Sequence, residues 1–361
     1  MTSCQTANQF SPDWCPPPGE TIMEVIAGIN MSQVELAKRM GITTKHVSQL
    51  ISGKASLSEE TALKLEKVLD VRAGFWSGLE GQYRLYLARE QELEALKSKE
   101  SWLSNFPIKE MVRREIIPVA SSNLEFVDIV LRFFGVATPE AWDNKWGGEQ
   151  APLSYRASKT YAANPYAVAV WLRLGQLAAA RQNIPEYNKE KFKSILPELR
   201  KLTTTPDVSF QVKLKDLCAL CGVVVLFVPE LPKTTLPGAA HWDGGKPIIQ
   251  LSLRHKTNDH LWFSFFHEVK HILSHSSRSI YINERNPESK EEQEANAFAR
   301  DFLIPPKEYR RLVACGRPTL KDIQQFSASI GVAPGITVGR LQFEGILQRQ
   351  VGNQLKVRYC W

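Results

Sequence analysis

The chain has 361 residues, of which 43% are hydrophobic and 23% charged, so we expect a folded protein of two or three domains rather than a disordered or fibrous one. The formal net charge of +7 is compatible with an acidic partner such as nucleic acid, but it does not identify one. No run approaches the roughly 18 apolar residues of a membrane helix, and the N-terminus has no apolar signal region, so we expect a cytoplasmic protein without a membrane partner.

Hydrophobic periodicity divides the chain into five segments. Residues 1–19 are polar and proline-rich, and we expect them to form a flexible arm. Residues 20–90 are helical in pattern with short polar breaks, and residues 91–205 are a charged helical linker followed by a helical middle region. Strand patterns appear only within residues 206–345, and residues 346–361 are a C-terminal tail.

Residues 31–54, MSQVELAKRMGITTKHVSQLISGK, have the pattern of two short helices joined by a tight turn. Ser32 is suited to cap the first helix, with Glu35 completing a capping box. Gly41 suits a left-handed turn, and Thr43 is suited to cap the second helix. The inward-facing positions are apolar: Val34 or Leu36, Ala37, Met40, Val47, Leu50 and Ile51. This is a helix-turn-helix, in which the second helix enters the major groove of DNA.

The outward positions of the second helix carry side chains that can donate hydrogen bonds to base edges or phosphates. They are Thr44, Lys45, His46, Ser48 and Gln49. Four Lys or Arg and one acidic residue lie between Met31 and Ser56, a local excess of +3. We therefore predict binding to a double-stranded operator as a homodimer, with a three-helix packing module as the alternative.

Residues 17–90 resemble the HigA-type antitoxins of the Xre helix-turn-helix class. The matching stretches are PPGETI, MSQVELAKRMGIT, VSQLISGKASLSEETALKLEKVL and FWSGLEGQYRLYLAR. Members of that family bind operator DNA as dimers and pair with a toxin. The resemblance implies DNA binding here, adds Gln33 to the candidate contacts, and makes a cognate toxin a candidate partner.

Two cysteines, Cys218 and Cys221, form a C-x-x-C within LKDLCALCGVVVLFV. The pattern fits a redox or metal site, or two small apolar residues on a buried helix, and the second interpretation is favoured because a free cysteine packs as a hydrophobe. Three predicted strands follow, at residues 223–229, 246–254 and 278–283. They bracket one long helix, so we expect the last third of the chain to be α+β.

That helix carries the sequence HLWFSFFHEVKHILSH, residues 260–275. We expect it to run from a cap at Asn258 or Asp259 to about Ser274. His267 and His271 lie about 40° apart around a helix, so both imidazoles can bind one metal ion. Glu268 lies beside them and is suited to act as general base on a metal-bound water. The opposite face is apolar: Trp262, Phe266, Val269, Ile272 and Leu273.

The next helix, KEEQEANAFARDFLIPP, offers several carboxylates as a third metal ligand. Its apolar face places Glu292 and Glu291 near the preceding helix and Glu294 away from it. We choose Glu292, and Glu294 and Glu291 remain open alternatives. Asn296, four residues after Glu292, could hold a ligand in place by a hydrogen bond. His275 is expected at the surface or next to a ligand rather than as a ligand itself.

Residues 206–345 resemble the ImmA/IrrE metallopeptidase family. The matching stretches are FFHEVKHILSH, EQEANAFARDFLIPP and, more loosely, GVAPGITVGRLQ. The resemblance implies that His267, His271 and one glutamate bind Zn²⁺ and that Glu268 is catalytic. Family members often have Gly where this chain has Lys270, which leaves the ligands unchanged but alters the shape of the substrate groove.

The sequence therefore predicts a multidomain protein: an all-α helix-turn-helix head, a helical middle region and an α+β zincin-like metallopeptidase domain. Its expected function is that of a DNA-binding regulator of the antitoxin or repressor type with a zinc-dependent endopeptidase, which cleaves a partner regulator or itself under stress. The alternative is a non-enzymatic antitoxin or repressor whose zinc domain only senses or binds a partner. The partners expected are operator DNA and a protein substrate or cognate toxin.

Overall fold

The structure, a computed structural model, describes most of the chain. The described residues are 15–147, 164–205, 207–252, 254, 256–274, 281–282, 289–314 and 316–359. The chain forms two compact units, Met1–Glu100 and Ser101–Trp361. Among the described residues, no helix is both long enough and apolar enough to cross a membrane.

The N-terminal unit is all α-helical, as predicted. Its helices are α1 (Pro18–Gly28), α2 (Gln33–Met40), α3 (Thr44–Ile51), α4 (Glu59–Leu69) and α5 (Ala73–Lys97). Its core contains Leu36, Val47, Leu65 and Trp76, each at most 1% exposed. Helix α5 passes through the predicted boundary at residues 90 and 91 without a break. That boundary remains a prediction.

The helix ends of the helix-turn-helix are capped by the side chains that the sequence predicted. The Ser32 hydroxyl accepts a hydrogen bond from the Glu35 N–H, and the Thr43 hydroxyl accepts one from the His46 N–H. Gly41 has φ 69°, the left-handed conformation that favours glycine. The Glu35 carboxylate pairs with Arg39 at 2.7 Å. The capping box is thus formed only on the Ser32 side. Leu36 faces inward and Val34 is 64% exposed, which settles that alternative.

From residue 100 onward the chain combines many helices with one small sheet, the predicted α+β arrangement. The helices are α6 (Glu100–Leu103), α7 (Ile108–Arg113), α8 (Asn123–Phe134), α9 (Pro139–Trp142), α10 (Pro165–Ala180), α11 (Lys189–Lys201), α12 (Phe210–Ala219), α13 (Asn258–Ser274), α14 (Lys290–Leu303), α15 (Pro306–Ala314), α16 (Leu320–Ile330) and α17 (Pro334–Phe343). A π-helical turn spans Asp143–Gly147, and 3₁₀ turns span Leu202–Thr204 and Asn353–Leu355.

The sheet has the strand order β1-β3-β2-β4. Its strands are β1 (Val224–Phe227), β2 (Gly238–Asp243), β3 (Lys246–Leu251) and β4 (Tyr281–Ile282). Strand β1 runs parallel to β3, and β2 is antiparallel to both β3 and β4. The sequence predicted strands at the positions of β1, β3 and β4 but not β2. The remaining predicted residues of the last strand, 278–280 and 283, lie outside the described residues.

Helices cover both faces of the sheet. On one face, Val224 and Leu226 of β1 pack with Ala179 of α10. On the other face, Val225 of β1 and Ala240 of β2 belong to the large core that includes α12, α13 and α14. The alternation along β1 follows from the period of two in a strand, which sends successive side chains to opposite faces.

The large core also draws on segments outside the predicted peptidase boundaries. Leu199 of α11 and Leu214 of α12 lie in the same cluster, although the predicted boundary at residues 205 and 206 falls between them. Leu347 and Tyr359, from the predicted tail, are at most 3% exposed in that cluster. The boundaries themselves remain predictions.

The C-x-x-C cysteines lie in the same core. Cys218 and Cys221 are fully buried among apolar side chains, and both are free thiols. Burial raises the pKa of each thiol. A raised pKa disfavours the thiolate that redox chemistry and metal binding require, so these contacts favour the apolar interpretation.

Candidate functional site

Helix α13 is anchored along its length. Its apolar side chains Trp262, Phe266 and Val269 are fully buried, and the Phe266 ring lies 5.0 Å from the Phe302 ring of α14. The predicted back face of this helix is therefore packed as expected. The anchoring fixes the direction in which the opposite face presents its histidines.

The start of α13 is held by the C-terminal segment of the chain. The Asn258 N–H donates to the Val357 carbonyl at 2.9 Å, and the Val357 N–H donates to Asn258 Oδ1 at 3.1 Å. Beside this pair, Lys356 Nζ lies 2.6 Å from Asp259 Oδ2. Both charged side chains are largely buried, so they neutralise each other where water has little access.

Helix α14 is fixed at both ends. The Ser289 hydroxyl accepts from the Glu292 N–H at the first turn. At the last turn, Arg200 Nη2 donates to the Leu303 carbonyl at 2.7 Å, and Arg340 Nη1 donates to the Ile304 carbonyl at 2.9 Å. Two guanidinium groups thus satisfy carbonyls that the helix leaves unpaired and oppose its negative end. The helix that carries Glu292 is rigidly placed.

Three side chains converge between α13 and α14. His267 Nε2 lies 3.1 Å from Glu292 Oε2, and His271 Nε2 lies 3.3 Å from Glu292 Oε1. The two Nε2 atoms are 3.0 Å apart. All three side chains are buried. They form the group of potential metal ligands found among the described residues.

These distances can be compared with what a zinc ion requires. Ligand atoms placed tetrahedrally at about 2.0 to 2.1 Å from zinc lie about 3.3 Å from one another. The two imidazole nitrogens are 3.0 Å apart, and each has a different oxygen of Glu292 nearby, at 3.1 Å for His267 and 3.3 Å for His271, so these separations are close to that value. Two imidazole nitrogens and one carboxylate oxygen are also ligand types that zinc prefers. The donor set therefore fits zinc and leaves a fourth position for water or substrate.

Asn296 orients one of the histidines. Its Oδ1 lies 3.0 Å from His267 Nδ1, and because a carbonyl oxygen only accepts, Nδ1 must carry the proton. The Nε2 atom of a neutral His267 then has its lone pair free to bind a metal ion. This is the hydrogen bond that the sequence suggested for Asn296.

The other candidate carboxylates lie elsewhere. Glu294 is exposed and its carboxylate is 3.5 Å from Lys270 Nζ. Glu291 is exposed as well. Neither belongs to the group of three, so the structure brings Glu292, and neither of the two alternatives, to the histidines. His275 lies outside the described residues.

Glu268 is fully buried against strand β2. Its carboxylate accepts a backbone hydrogen bond from Ala240, and a Cβ built on Gly238 would lie 3.0 Å from its Oε1. Burial raises the pKa of Glu268 to about 7, while His267 and His271 act in the opposite direction. The carboxylate is thus held where it can both accept and return a proton near neutral pH.

The sequence did not identify Gly238 or Ala240, because β2 was not predicted. A usable signal was present in DGGK, residues 243–246, since paired glycines between two extended segments indicate a hairpin. Gly244 and Gly245 both have positive φ, 55° and 82°, and connect β2 to β3.

Charge is balanced within the three-residue group. Burial acts to raise the pKa of Glu292, but hydrogen bonds to His267 and His271 outweigh it and lower that pKa to about 2. Burial acts to lower the pKa of His267, and its hydrogen bond to Glu292 and the charge of Glu268 reverse this and raise it. Metal binding at His267 Nε2 would therefore compete with protonation of that imidazole.

The predicted DNA-contacting residues lie on α3 and at the start of α2. Thr44, Lys45 and Ser48 are exposed, and His46, Gln49 and Gln33 are partly buried. Gln33 Nε2 lies 3.2 Å from the Met23 sulfur, a contact within the unit. Exposed Thr44, Lys45 and Ser48 leave one face of the second helix open to a partner.

Two parts of the chain match known families. Residues 22–76 match the family described as helix-turn-helix, and residues 221–341 match peptidase family M78, described as the IrrE N-terminal-like domain. The second match includes His267, Glu268, His271 and Glu292. The fold described above agrees with both.

Three individual relatives each match about a fifth to a quarter of the chain. An uncharacterised HTH-type transcriptional regulator, YddM, of Escherichia coli (strain K12) is 36% identical over 70 residues, which are 19% of this chain and 74% of that protein. An addiction module antidote protein of a HigA family from Coxiella burnetii is 29% identical with a TM-score of 0.22, covering 24% of this chain and 95% of that one. The antitoxin GraA is 26% identical with a TM-score of 0.22, covering 24% and 94%.

Proposed function

We propose that this chain, which belongs to the helix-turn-helix regulators and carries an IrrE N-terminal-like domain of peptidase family M78, is a transcriptional regulator with a zinc-dependent endopeptidase. Its N-terminal unit binds double-stranded operator DNA as a homodimer. Its C-terminal unit cleaves a partner regulator or the chain itself. A cognate toxin is a candidate partner of the N-terminal unit, because residues 17–90 resemble the HigA-type antitoxins.

The observation that carries the peptidase proposal is the spacing of the nitrogen and oxygen atoms of three buried side chains. His267, His271 and Glu292 would hold the zinc ion, and their separations of 3.0 to 3.3 Å match tetrahedral coordination. A zinc ion there would supply a Lewis acid that polarises a peptide carbonyl and makes water more acidic. Three protein ligands with an open fourth position are typical of catalytic rather than structural zinc.

Glu268 supplies the acid–base chemistry. Its carboxylate would take a proton from the attacking water and return it to the leaving amine. Burial raises the pKa of this carboxyl and so makes it a stronger base, whereas a zinc ion beside it would act in the opposite direction. The Ala240 hydrogen bond and the close approach of Gly238 keep that carboxylate in one place.

The alternative function is a regulator in which zinc has no catalytic role and the C-terminal unit only senses or binds a partner. The two functions share the same ligand set and differ in whether Glu268 transfers protons to a substrate.

A cleavage assay separates them. The purified full chain would be incubated with the proteins encoded beside it, and the products read by mass spectrometry. We expect cleavage by the wild-type chain and none by Glu268→Gln at equal zinc content. Glu198→Gln is the matched control, because it makes the same chemical change on an exposed residue outside both the ligand group and the groove lined by α13 and α14, and it should cleave normally. Zinc-loaded wild-type protein that cuts neither itself nor any of these partners would favour the non-enzymatic alternative.

A further inference from the structure

An open groove of about 620 Å³ lies between α11, α13 and α14. Four lysines line it: Lys189, Lys193, Lys270 and Lys290. Two carboxylates, Glu291 and Glu294, line it as well. The groove therefore has a formal charge of +2, from four cations and two anions.

Two of the four lysines are already neutralised. Lys193 Nζ lies 2.9 Å from Glu190 Oε1, and Lys270 Nζ lies 3.5 Å from Glu294 Oε2. Within the described part of the chain, Lys189 and Lys290 form no ion pair and are exposed. These two lysines outnumber the one remaining carboxylate of the lining, the exposed Glu291, so positive charge is available in the groove.

The positions of Lys189 and Lys290 do not stabilise their helices. Lys189 is the first residue of α11 and Lys290 the first residue of α14. A cation at the start of a helix is disfavoured, because the unpaired N–H groups there already carry partial positive charge. Each lysine therefore costs its own helix a little stability, a cost that an anionic partner in the groove would offset.

Two residues that line the groove are sequence neighbours of the candidate metal ligands. Lys270 directly precedes His271, and Glu291 directly precedes Glu292. Its wall also includes apolar side chains, Leu273 and the partly exposed Phe298. A surface with both cationic and apolar parts fits a polypeptide with acidic and apolar side chains better than it fits a small anion.

We propose that this groove binds an acidic, extended segment of the protein that the C-terminal unit acts on. Lys189 and Lys290 select its carboxylates, and Leu273 and Phe298 contact its apolar side chains. This inference rests on the proposed function in one respect: the bound segment is a substrate only if the C-terminal unit is a peptidase. Binding itself does not depend on cleavage.

Fluorescence anisotropy on the full-length Glu268→Gln chain tests the proposal, because that variant should bind without cutting. The probe is a fluorescein-labelled peptide of alternating glutamate and leucine, and the comparison peptide alternates lysine and leucine. We expect the acidic peptide to bind at least about tenfold more tightly, with an affinity that falls as salt is added. Equal affinities for the two peptides would overturn the proposal.

Charge-reversed variants locate the binding. Lys189→Glu with Lys290→Glu should weaken binding of the acidic peptide by about tenfold, since two opposed charges become two repulsive ones. Lys201→Glu with Lys213→Glu is the matched control, because both lysines are exposed, lie outside the groove and give the same change in net charge. That control should change affinity by less than about twofold.

A third variant excludes the basic face of the helix-turn-helix. If Lys45→Glu abolishes binding of the acidic peptide while the groove variant leaves it unchanged, the peptide occupies the DNA-binding face and the proposal is wrong. It is also wrong if the groove variant weakens binding of a labelled single-stranded oligonucleotide but not of the peptide.

Acidic-peptide binding without any cleavage by the wild-type chain leaves the groove assignment standing and refutes only the peptidase function. Cleavage that shows no preference for acidic segments supports the peptidase function and refutes the assignment of the groove.

Discussion

The Nε2 atoms of His267 and His271 lie 3.0 Å apart, with both side chains buried. One proton can bridge two imidazole nitrogens at that distance, but each nitrogen also lies within 3.3 Å of a Glu292 oxygen. The His267 Nδ1 proton is directed to Asn296 Oδ1, so a neutral His267 contributes a lone pair rather than a proton to this group. A single cation between them would satisfy both lone pairs and the carboxylate at once. This relationship is the main reason to expect a metal ion here.

The first prediction concerns Gly238. A Cβ at this position would lie 3.0 Å from Glu268 Oε1 and 3.2 Å from Leu251 Cδ2, so Gly238→Val would displace the carboxylate. We expect peptide cleavage to fall by roughly 100-fold, because a misplacement of about 1 Å can cost that much, while zinc is retained. Gly78→Ala is the control, since nothing lies within 4 Å of a Cβ there. Loss of zinc together with cleavage would show that Gly238 shapes the ligand set instead.

The second prediction concerns DNA recognition. Lys45→Ala should weaken binding to all sequences and reduce the slope of log affinity against log salt by about 1, because one phosphate contact is lost. Gln49→Ala should instead relax the preference at one base pair, a loss of about 1–3 kcal/mol in discrimination. Gel-shift titrations against palindromic fragments of the protein's own promoter would measure both. Binding that is insensitive to salt would contradict the proposed contacts.

The third prediction concerns His241, which is buried under α10. Its Nε2 donates to Gln250 Oε1 at 3.2 Å, and Gln250 Nε2 donates to the Trp171 carbonyl at 2.7 Å. Burial lowers the pKa of His241 to about 4, whereas the unfolded chain titrates near about 6.5. Above about pH 6.5 the histidine is neutral in both states and does not lower the free energy of unfolding. As the pH falls from there towards 4, the unfolded chain takes up a proton that the folded chain does not, and the free energy of unfolding decreases by about 3 kcal/mol in all.

Urea unfolding at about pH 7 and about pH 4 measures that loss. Other groups also titrate in this range, so the comparison is with His241→Gln, whose side chain stays neutral. The wild-type chain should lose more unfolding free energy on acidification than the variant does. An equal loss in both proteins would show that His241 is not the group responsible.

The fourth prediction concerns the C-terminal segment. Lys356→Ala would leave Asp259 buried without its partner 2.6 Å away, and breaking a buried ion pair on one side costs about 3–5 kcal/mol. Because Asp259 lies in the first turn of α13, we also expect weaker zinc retention. Lys97→Ala, which breaks an exposed pair with Glu94, should not change unfolding measurably. Unchanged stability in Lys356→Ala would mean that the segment does not hold the helix.

Local chemistry explains what could be predicted from the sequence. The helix-turn-helix was predictable because Ser32, Gly41 and Thr43 mark helix ends by their own hydrogen bonding and conformation. The orientation of α13 followed from its apolar period. The same helical phase favoured Glu292 over Glu294, and the structure has Glu292 beside the two histidines.

Long-range packing explains what could not be predicted. Strand β2, GAAHWD, has no β-branched residues, so propensity did not reveal it, although Glu268 lies against it. Tyr359 lies in the core 5.1 Å from the Phe210 ring, about 150 residues away in the chain. No local pattern reveals a contact over that separation, so the sequence predicted only a C-terminal tail for residues 346–361.

The most direct test of the metal centre is zinc stoichiometry by native mass spectrometry. We predict one zinc ion per wild-type chain, its loss in His267→Ala and His271→Ala, and weaker retention in Glu292→Gln. Glu294→Gln should retain zinc as the wild-type chain does. A wild-type chain that takes up no zinc, or zinc that is lost in Glu294→Gln and kept in Glu292→Gln, would contradict the proposed zinc site.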